Sequence, residues 1–491
     1  MMIQARRPRL ELLSPEFIEK IVDEAFVLLE KHGVFIENEE AIGLLDGAGM
    51  RIGGDGRRAF LTRSLVEDCL NSAPASFILY NRAGDKAYVV GGDGIHFNPG
   101  SAAVTLLDHA TQSERRAESS DLVRLYRLVE TLEHVHFQST ALVSSDVPHA
   151  IADCYRLYLG LQHSAKPFVT GTFRVEGFAP MRDFLTAVRG GREELACRPL
   201  AIFDACPSPP LRWSRLTSQS LIDAARAGIP SELISMGMTG ATSPVTIAGT
   251  LVQHVAENLS GLAICQLAAR GAPVVFGGSP SSFDMRKGTT PMGAMETMMI
   301  DSAYAQIGKF LRLPTHAYMG LSDSKVIDAQ AGLETGMGAV LAALSGINVI
   351  SGPGMLDFES AQSLEKLVID DEICGMACRL IEGIAQREDI LALDKFEGLE
   401  AAGRFLSLPH TRKWYRAEHT LPRLIDRDTY EAWAGQGRTS MAGRAAEEAE
   451  RRLAGPSAPP LEEKVRDDLR RIMLDYARLN GVKSLPEIPS A

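Results

Sequence analysis

Short runs that are apolar on both faces alternate along this chain with longer stretches whose apolar positions recur at helical spacing, and Gly, Pro and Ser gather where each short run ends. The short runs are "HVHFQSTALV" from His134, "KPFVTGTF" from Lys166, "PLAIFDACP" from Pro199, "ELISMGMTG" from Glu232, "PVVFGGSPS" from Pro273, "PTHAYMGLS" from Pro314 and "INVISGPGM" from Ile347. A strand apolar on both faces belongs in a parallel sheet covered by helices, and a repeat of roughly 30 to 40 residues fits a βα unit with its return helix. The pattern predicts a (β/α)8 barrel of the TIM type, its eighth strand supplied near residues 95–107. An open doubly wound sheet alternates in the same way and is the other reading of the pattern alone.

Outside the repeat the pattern changes. "SPEFIEKIVDEAFVLLEKHGV" from Ser14 opens with Ser-Pro-Glu and closes at Gly33, the signature of a capped amphipathic helix. Residues 35–110 mix short helices with β-rich pieces and predict a small α+β cap. Beyond Cys378 the chain turns polar, and "PSAPPLEEK" separates the charged helix "MAGRAAEEAERRLAG" from a last amphipathic helix ending near Asn480. The expected organisation is an N-terminal α+β region over 1–110 that packs on the barrel and supplies it one strand, the barrel over 111–400, and a C-terminal helical extension over 401–491.

Composition narrows the classes of function. Hydrophobic residues are 45% and charged residues 23%, enough for a large buried core. A formal net charge of −11 argues against a nucleic-acid-binding face. No long uninterrupted apolar stretch occurs and the basic start lacks an apolar signal core, so the expectation is a cytoplasmic protein with no membrane association. The 7 cysteines are scattered without a CxxC, and Cys374 with Cys378 share a helical face but do not make a zinc site, so no bound metal is expected. GxxxxGK[ST], HExxH, GxSxG and a strand-coupled GxGxxG are all absent.

In a parallel barrel the loops after the strands build the site. Those loops carry Thr170, Thr172 and Phe173; Asp204, Cys206, Arg212 and Trp213; Phe276, Phe283, Asp284 and Arg286; His316, Tyr318 and Met319, followed by Asp323, Lys325, Asp328, Gln330 and Glu334; and Asp357, Phe358 and Glu359. Asp323 or Ser322 would serve equally as a helix cap, and Trp213 as core. Aromatic rings with carboxylates and few nucleophiles suit a cation that cannot donate hydrogen bonds. The candidate substrate-binding residues are Phe97, Phe173, Phe276, His316, Tyr318, Gln330, Phe358 and Glu359; no residue is assigned a catalytic role.

The segment "GMTGATSPVTIAGTLVQHVAENLSGLAICQLAARGAPVVFGGSPSSFDMRKG", with "GAMETMMIDSAYAQIGKFLRLP", "SDSKVIDAQAGLETGMGAVLAALSGINVI", "SLEKLVIDDEICGM" and "LPHTRKWYRAEHTLPRLIDRDTYEAW", resembles the trimethylamine methyltransferase superfamily. The likeness runs from about residue 10 to about residue 450. It implies a (β/α)8 barrel that binds a methylated amine above its strands and passes one methyl to the cobalt of a corrinoid (cobalamin) carried by a partner protein, with no cofactor held tightly by this chain. The chain contains only the twenty standard residues and is similar to the branch without pyrrolysine, whose substrates are betaine-type quaternary amines such as glycine betaine. A quaternary ammonium is already activated, because its leaving group is a neutral tertiary amine. His316, Tyr318 and Met319 stand where many relatives have a more Gly-rich strand end, and Met355 where Trp is frequent.

The resemblance thus implies a methyltransferase that takes a small quaternary or tertiary methylamine as substrate and a corrinoid protein as partner, and a homo-oligomer is expected. The alternatives are transfer from trimethylamine or another methylated compound, a zinc-dependent barrel methyltransferase for which only His316 and Cys206 suggest ligands, and a catalytically silent betaine-binding barrel.

Overall fold

The computed structural model describes residues 5–388, 391–397 and 404–486. Eight parallel strands run around a closed barrel: β1 (His96–Asn98), β2 (Gln138–Ser139), β3 (Phe168–Thr170), β4 (Ala201–Ala205), β5 (Ser231–Ser235), β6 (Val274–Gly278), β7 (His316–Tyr318) and β8 (Val349–Ser351). The strands β2 to β6 form one continuous ladder and β7, β8 and β1 another. Bridges Phe276↔Thr315 and Phe97↔Val135 join the two ladders into a ring. Each strand is followed by a helix: α1 (Ser119–Thr131), α2 (Ala152–His163), α3 (Phe178–Arg189), α4 (Arg215–Ala227), α5 (Ile247–Ala268), α6 (Met295–Phe310), α7 (Ala329–Ser345) and α8 (Leu364–Ile381). The closed ring decides against the open sheet, and the eighth strand is the first in chain order.

The N-terminal region is the α+β cap. Its first helix, Pro15–Lys31, starts at the Ser14 cap and packs with Arg63–Ser72 on α5. A four-stranded sheet joins Val34–Ile36, Arg58–Phe60 and Arg51–Ile52 to Arg212–Trp213 from the loop after β4. Trp213 is therefore core, fully buried with its indole N–H donating to Ser260 Oγ.

A hairpin of Ser76–Tyr80 and Ala87–Gly91 has the more direct bearing on the site. Its Phe77, Leu79, Tyr88 and Val90 pack with Phe137, Val169, Ile202, Val275 and Val349, which alternate into the barrel from five strands. This apolar plug fills the N-terminal end, so the lumen is approached from the C-terminal ends of the strands.

The C-terminal extension is helical. Met441–Leu453 packs on α8 and α1, and Glu463–Leu479 on α2 and α3. The boundary expected at 400 lies outside the described residues. No helix among the described residues is long and apolar enough to cross a membrane.

Within α8, Lys366 and Asp370 form a fully buried pair at 2.5 Å; Lys366 also donates to Thr335 Oγ1, and Asp370 accepts from the Gly354 N–H in the loop after β8. Removing one member leaves a buried charge unpaired. Asp370→Ala is expected to cost about 3–5 kcal/mol in chemical unfolding, and a Lys366→Met/Asp370→Leu pair to cost less.

Candidate functional site

Register brings carboxyl groups together inside the barrel. Asp204 of β4 lies directly beside Glu232 of β5, and both alternate with residues that face the helices, so both point inward. Neighbouring strands lie roughly 5 Å apart, so the two carboxyls face each other at close range. Burial raises both pKa values, Asp204 far above the carboxylate range with the Glu232 carboxyl adding to the rise, and Glu232 to about 8. The two carboxyls hydrogen-bond to each other, and no other group donates to Glu232 or to Asp204 Oδ1. Glu232 has no accessible surface, whereas Asp204 and Cys206 above it retain some, so the lumen reaches down to this pair.

His316 faces them from β7. Its Nδ1 stands 2.9 Å from Glu232 Oε1, close but not aligned as a hydrogen bond, and its Nε2 lies 2.9 Å from Ser351 Oγ. Asn98 accepts from the Gly100 N–H with Oδ1 and donates from Nδ2 to Ser351 Oγ at 2.9 Å. Ser351 Oγ in turn donates to Asn98 Oδ1 at 3.1 Å, so Asn98, Ser351 and His316 form one hydrogen-bonded set behind the Glu232 carboxyl. Burial lowers the His316 pKa to about 3, so the ring is neutral at physiological pH. Gly277 makes room for it: a Cβ there would stand 2.8 Å from the His316 Cβ.

Tyr318 sits above His316 on the same face of β7, edge to face at 5.0 Å between ring centres. Burial first, and the carboxyls around it next, hold its phenol protonated. Glu359 enters from the loop after β8 and accepts from Ser279 Oγ at 3.2 Å; burial raises its pKa to about 8. It ends a run of three residues, Asp357, Phe358 and Glu359, with φ of 46°, 54° and 71°. Left-handed backbone at non-glycine residues is strained, and such strain gathers at functional sites. No lysine or arginine pairs with Asp204, Glu232 or Glu359 among the described residues.

Of the expected substrate-binding residues, His316, Tyr318 and Glu359 are brought together. Phe97 and Phe276 face the other way, into the helix layer, where Phe276 packs against His254 and Tyr304. Phe173 is covered by the Arg156 guanidinium, 4.3 Å from its ring centre, and stacks on His149. Phe358 carries the Lys325 ammonium 3.9 Å from its ring centre. Gln330 is exposed and donates to Glu334 Oε1. The two inward strand positions that the aromatic reading misses, Asn98 and Ser351, buttress His316.

Asp323 does not cap the next helix. It accepts from the Met292 and Gly293 N–H groups ahead of α6, while Asp328 caps α7 through the Ala331 N–H. Glu232 is the group that sequence reading passes over, and Asp204 is read only as a rim residue. A signal for both existed: a carboxylate inside a run otherwise apolar on both faces has no solvent to face. Among the described residues no group of three or more His, Cys, Asp or Glu is placed to hold a metal ion.

A family model described as trimethylamine methyltransferase (MTTB) matches residues 1–478. The chain is 31% identical to trimethylamine methyltransferase of Desulfitobacterium hafniense, over 96% of this chain and 94% of that one. It is 32% identical to glycine betaine methyltransferase of another strain of Desulfitobacterium hafniense, over 87% of this chain and 89% of that one. Among solved structures, monomethylamine methyltransferase of Methanosarcina barkeri superposes with a TM-score of 0.54 at 13% identity, covering 95% of this chain and 89% of that one, a likeness of fold.

Because Phe276 is core, Phe276→Ala is expected to cost about 3–5 kcal/mol in chemical unfolding, without removing a lumen contact. The raised carboxyls make stability depend on pH. The folded chain keeps protons on Glu232 and Glu359 that the unfolded chain loses above the ordinary glutamate value of 4.5. Their contribution is full below that value and lost as pH rises through about 8. Tm of the ligand-free protein is expected to fall between about pH 6 and about pH 9, and to fall less in Glu359→Gln.

Proposed function

Because the chain belongs to the trimethylamine methyltransferase family and is a methyltransferase, we propose that it takes one methyl from a quaternary amine, glycine betaine or a related betaine, and delivers it to the corrinoid of a partner protein. The observation that carries the reading is the inward-facing set of Asp204, Glu232 and Glu359, which has no lysine or arginine partner among the described residues. A methylated ammonium supplies the missing positive charge, and Tyr318 offers an aromatic ring beside it.

The methyl acceptor must come from outside. Burial pushes the Cys206 thiol and the Tyr318 phenol well above their ordinary pKa values, so neither is a nucleophile at neutral pH. The partner's corrinoid supplies a reduced cobalt nucleophile. The rim fits a broad, partly apolar visitor: Val245 before α5, Met285 after β6 and Leu333 in the second turn of α7 are each about two-thirds exposed, and Met236 and Val326 lie between them in the chain or beside them in the loops. The chain's own part is to hold the ammonium, keep water from the reacting methyl and leave it open toward the rim.

A second reading, transfer from protonated trimethylamine, is favoured by the Glu232 carboxyl, to which no group but Asp204 donates and which would accept a hydrogen bond from its N–H. Purified protein with a reduced corrinoid protein and a panel of glycine betaine, proline betaine, carnitine, choline and trimethylamine separates the two by the absorbance change of the corrinoid. Turnover of a quaternary amine supports the first reading; turnover of trimethylamine alone replaces it with the second. Amine binding without turnover across a range of corrinoid partners points to a binding barrel. Leu333→Asp and Val245→Asp are expected to lower corrinoid methylation at least about tenfold while amine affinity is kept, as polar substitutions at a docking rim do.

A further inference from the structure

Asp204 and Glu232 are register neighbours on the inward face of adjacent strands, and Glu232 is wholly buried, hydrogen-bonded to the Asp204 carboxyl and to no other group. The titratable and charged groups that act on the pair come from several elements: His316 and Tyr318 from β7, Cys206 beyond β4, Glu359 beyond β8, and, from the helix layer, Tyr304 of α6 and Arg156 of α2. Only Arg156 is a permanent cation, and its guanidinium is committed to Thr140 O and the Phe173 ring. Two carboxylates so close in a buried setting do not both ionise.

We propose that the Asp204–Glu232 pair keeps both of its protons until a methylammonium cation enters the lumen and releases one of them in exchange, with His316 as the positioning residue that steadies the carboxylate so formed. This rests on the methyl-transfer reading and adds where the proton goes.

The exchange balances in charge and atoms. When a quaternary cation enters, one proton leaves to water and the charge of the site is unchanged. As the methyl departs to the acceptor, the C–N electron pair returns to nitrogen, a neutral tertiary amine leaves, and the pair regains a proton from water. A neutral tertiary amine instead takes one proton from the pair onto its nitrogen. The ammonium so formed loses methyl with the C–N electron pair returning to nitrogen, and departs as a neutral secondary amine that keeps the transferred proton. The same two carboxyls therefore hold a quaternary substrate and activate a tertiary one.

His316 suits its role because it is fixed from behind. Asn98 of β1 holds Ser351 of β8, and Ser351 holds the imidazole Nε2, which keeps Nδ1 2.9 Å from Glu232 Oε1. The arrangement spans the barrel and involves no mobile surface side chain.

Isothermal titration of the full-length protein with tetramethylammonium and with glycine betaine, in buffers of different ionisation enthalpy at neutral pH, counts the protons. The expected result is about one proton released per ligand bound, with affinity weakening up to about tenfold for each pH unit of acidification below the titration of the pair. An Asp204→Asn/Glu232→Gln variant should bind more weakly and release none. His316→Ala should move the release to higher pH without abolishing it, a displacement that mere loosening of the fold does not produce. Wild-type binding without net proton exchange overturns the proposal and leaves methyl transfer standing. Failure of tetramethylammonium, glycine betaine and trimethylamine all to bind overturns the methyl-transfer reading, and this one with it.

Discussion

A carboxyl group placed in the middle of a parallel sheet has nowhere to find water, and Glu232 is such a group, with Asp204 beside it and the neutral His316 imidazole against it. An isolated charge there would be costly, so the group either keeps its proton or meets a cation. Much of the surrounding structure serves that choice. The hairpin plug closes the far end of the barrel with apolar side chains, which denies the carboxyls a route to solvent from below. Gly277 yields the space His316 occupies, and the strained turn at Asp357 to Glu359 brings one more carboxyl over the opening.

The helix layer and the lumen divide the work. Phe97, Phe276, Tyr304 and Trp213 fill the space between strands and helices and hold the ring in shape. The inward positions are left to polar groups, and these are tied across the barrel, β1 to β8 through Asn98 and Ser351, then to β7 and β5. Such a network resists distortion only when its members stay in register, which the closed ladder guarantees. The loop that carries Glu359 is braced in turn by α8, where Asp370 holds the Gly354 N–H.

Family membership and this geometry meet in the charge of the ligand. The compounds that two of the relatives are named for, trimethylamine and glycine betaine, share a methylated nitrogen, and the lumen of this chain holds three buried carboxyls without a lysine or arginine partner among the described residues. At the rim above these carboxyls, Lys325 stands beside Phe358 and Asp357.

The alternation of apolar runs with helical stretches determined the barrel, because a strand buried on both faces and a helix with one apolar stripe are local patterns that any short window displays. Seven of the eight strands were legible in this way; the eighth was expected near residues 95–107, and His96–Asn98 lies there, its three residues paired with Val349–Ser351. His316, Tyr318 and Glu359 were legible as polar or aromatic residues leaving buried strands. The inward or outward sense of each aromatic was not, since it turns on strand register, and a shift of one residue reverses it. That is why Phe97 and Phe276 read as lining and proved to be core, while Glu232, hidden among apolar neighbours, became a central group of the site only when the sheet closed around it.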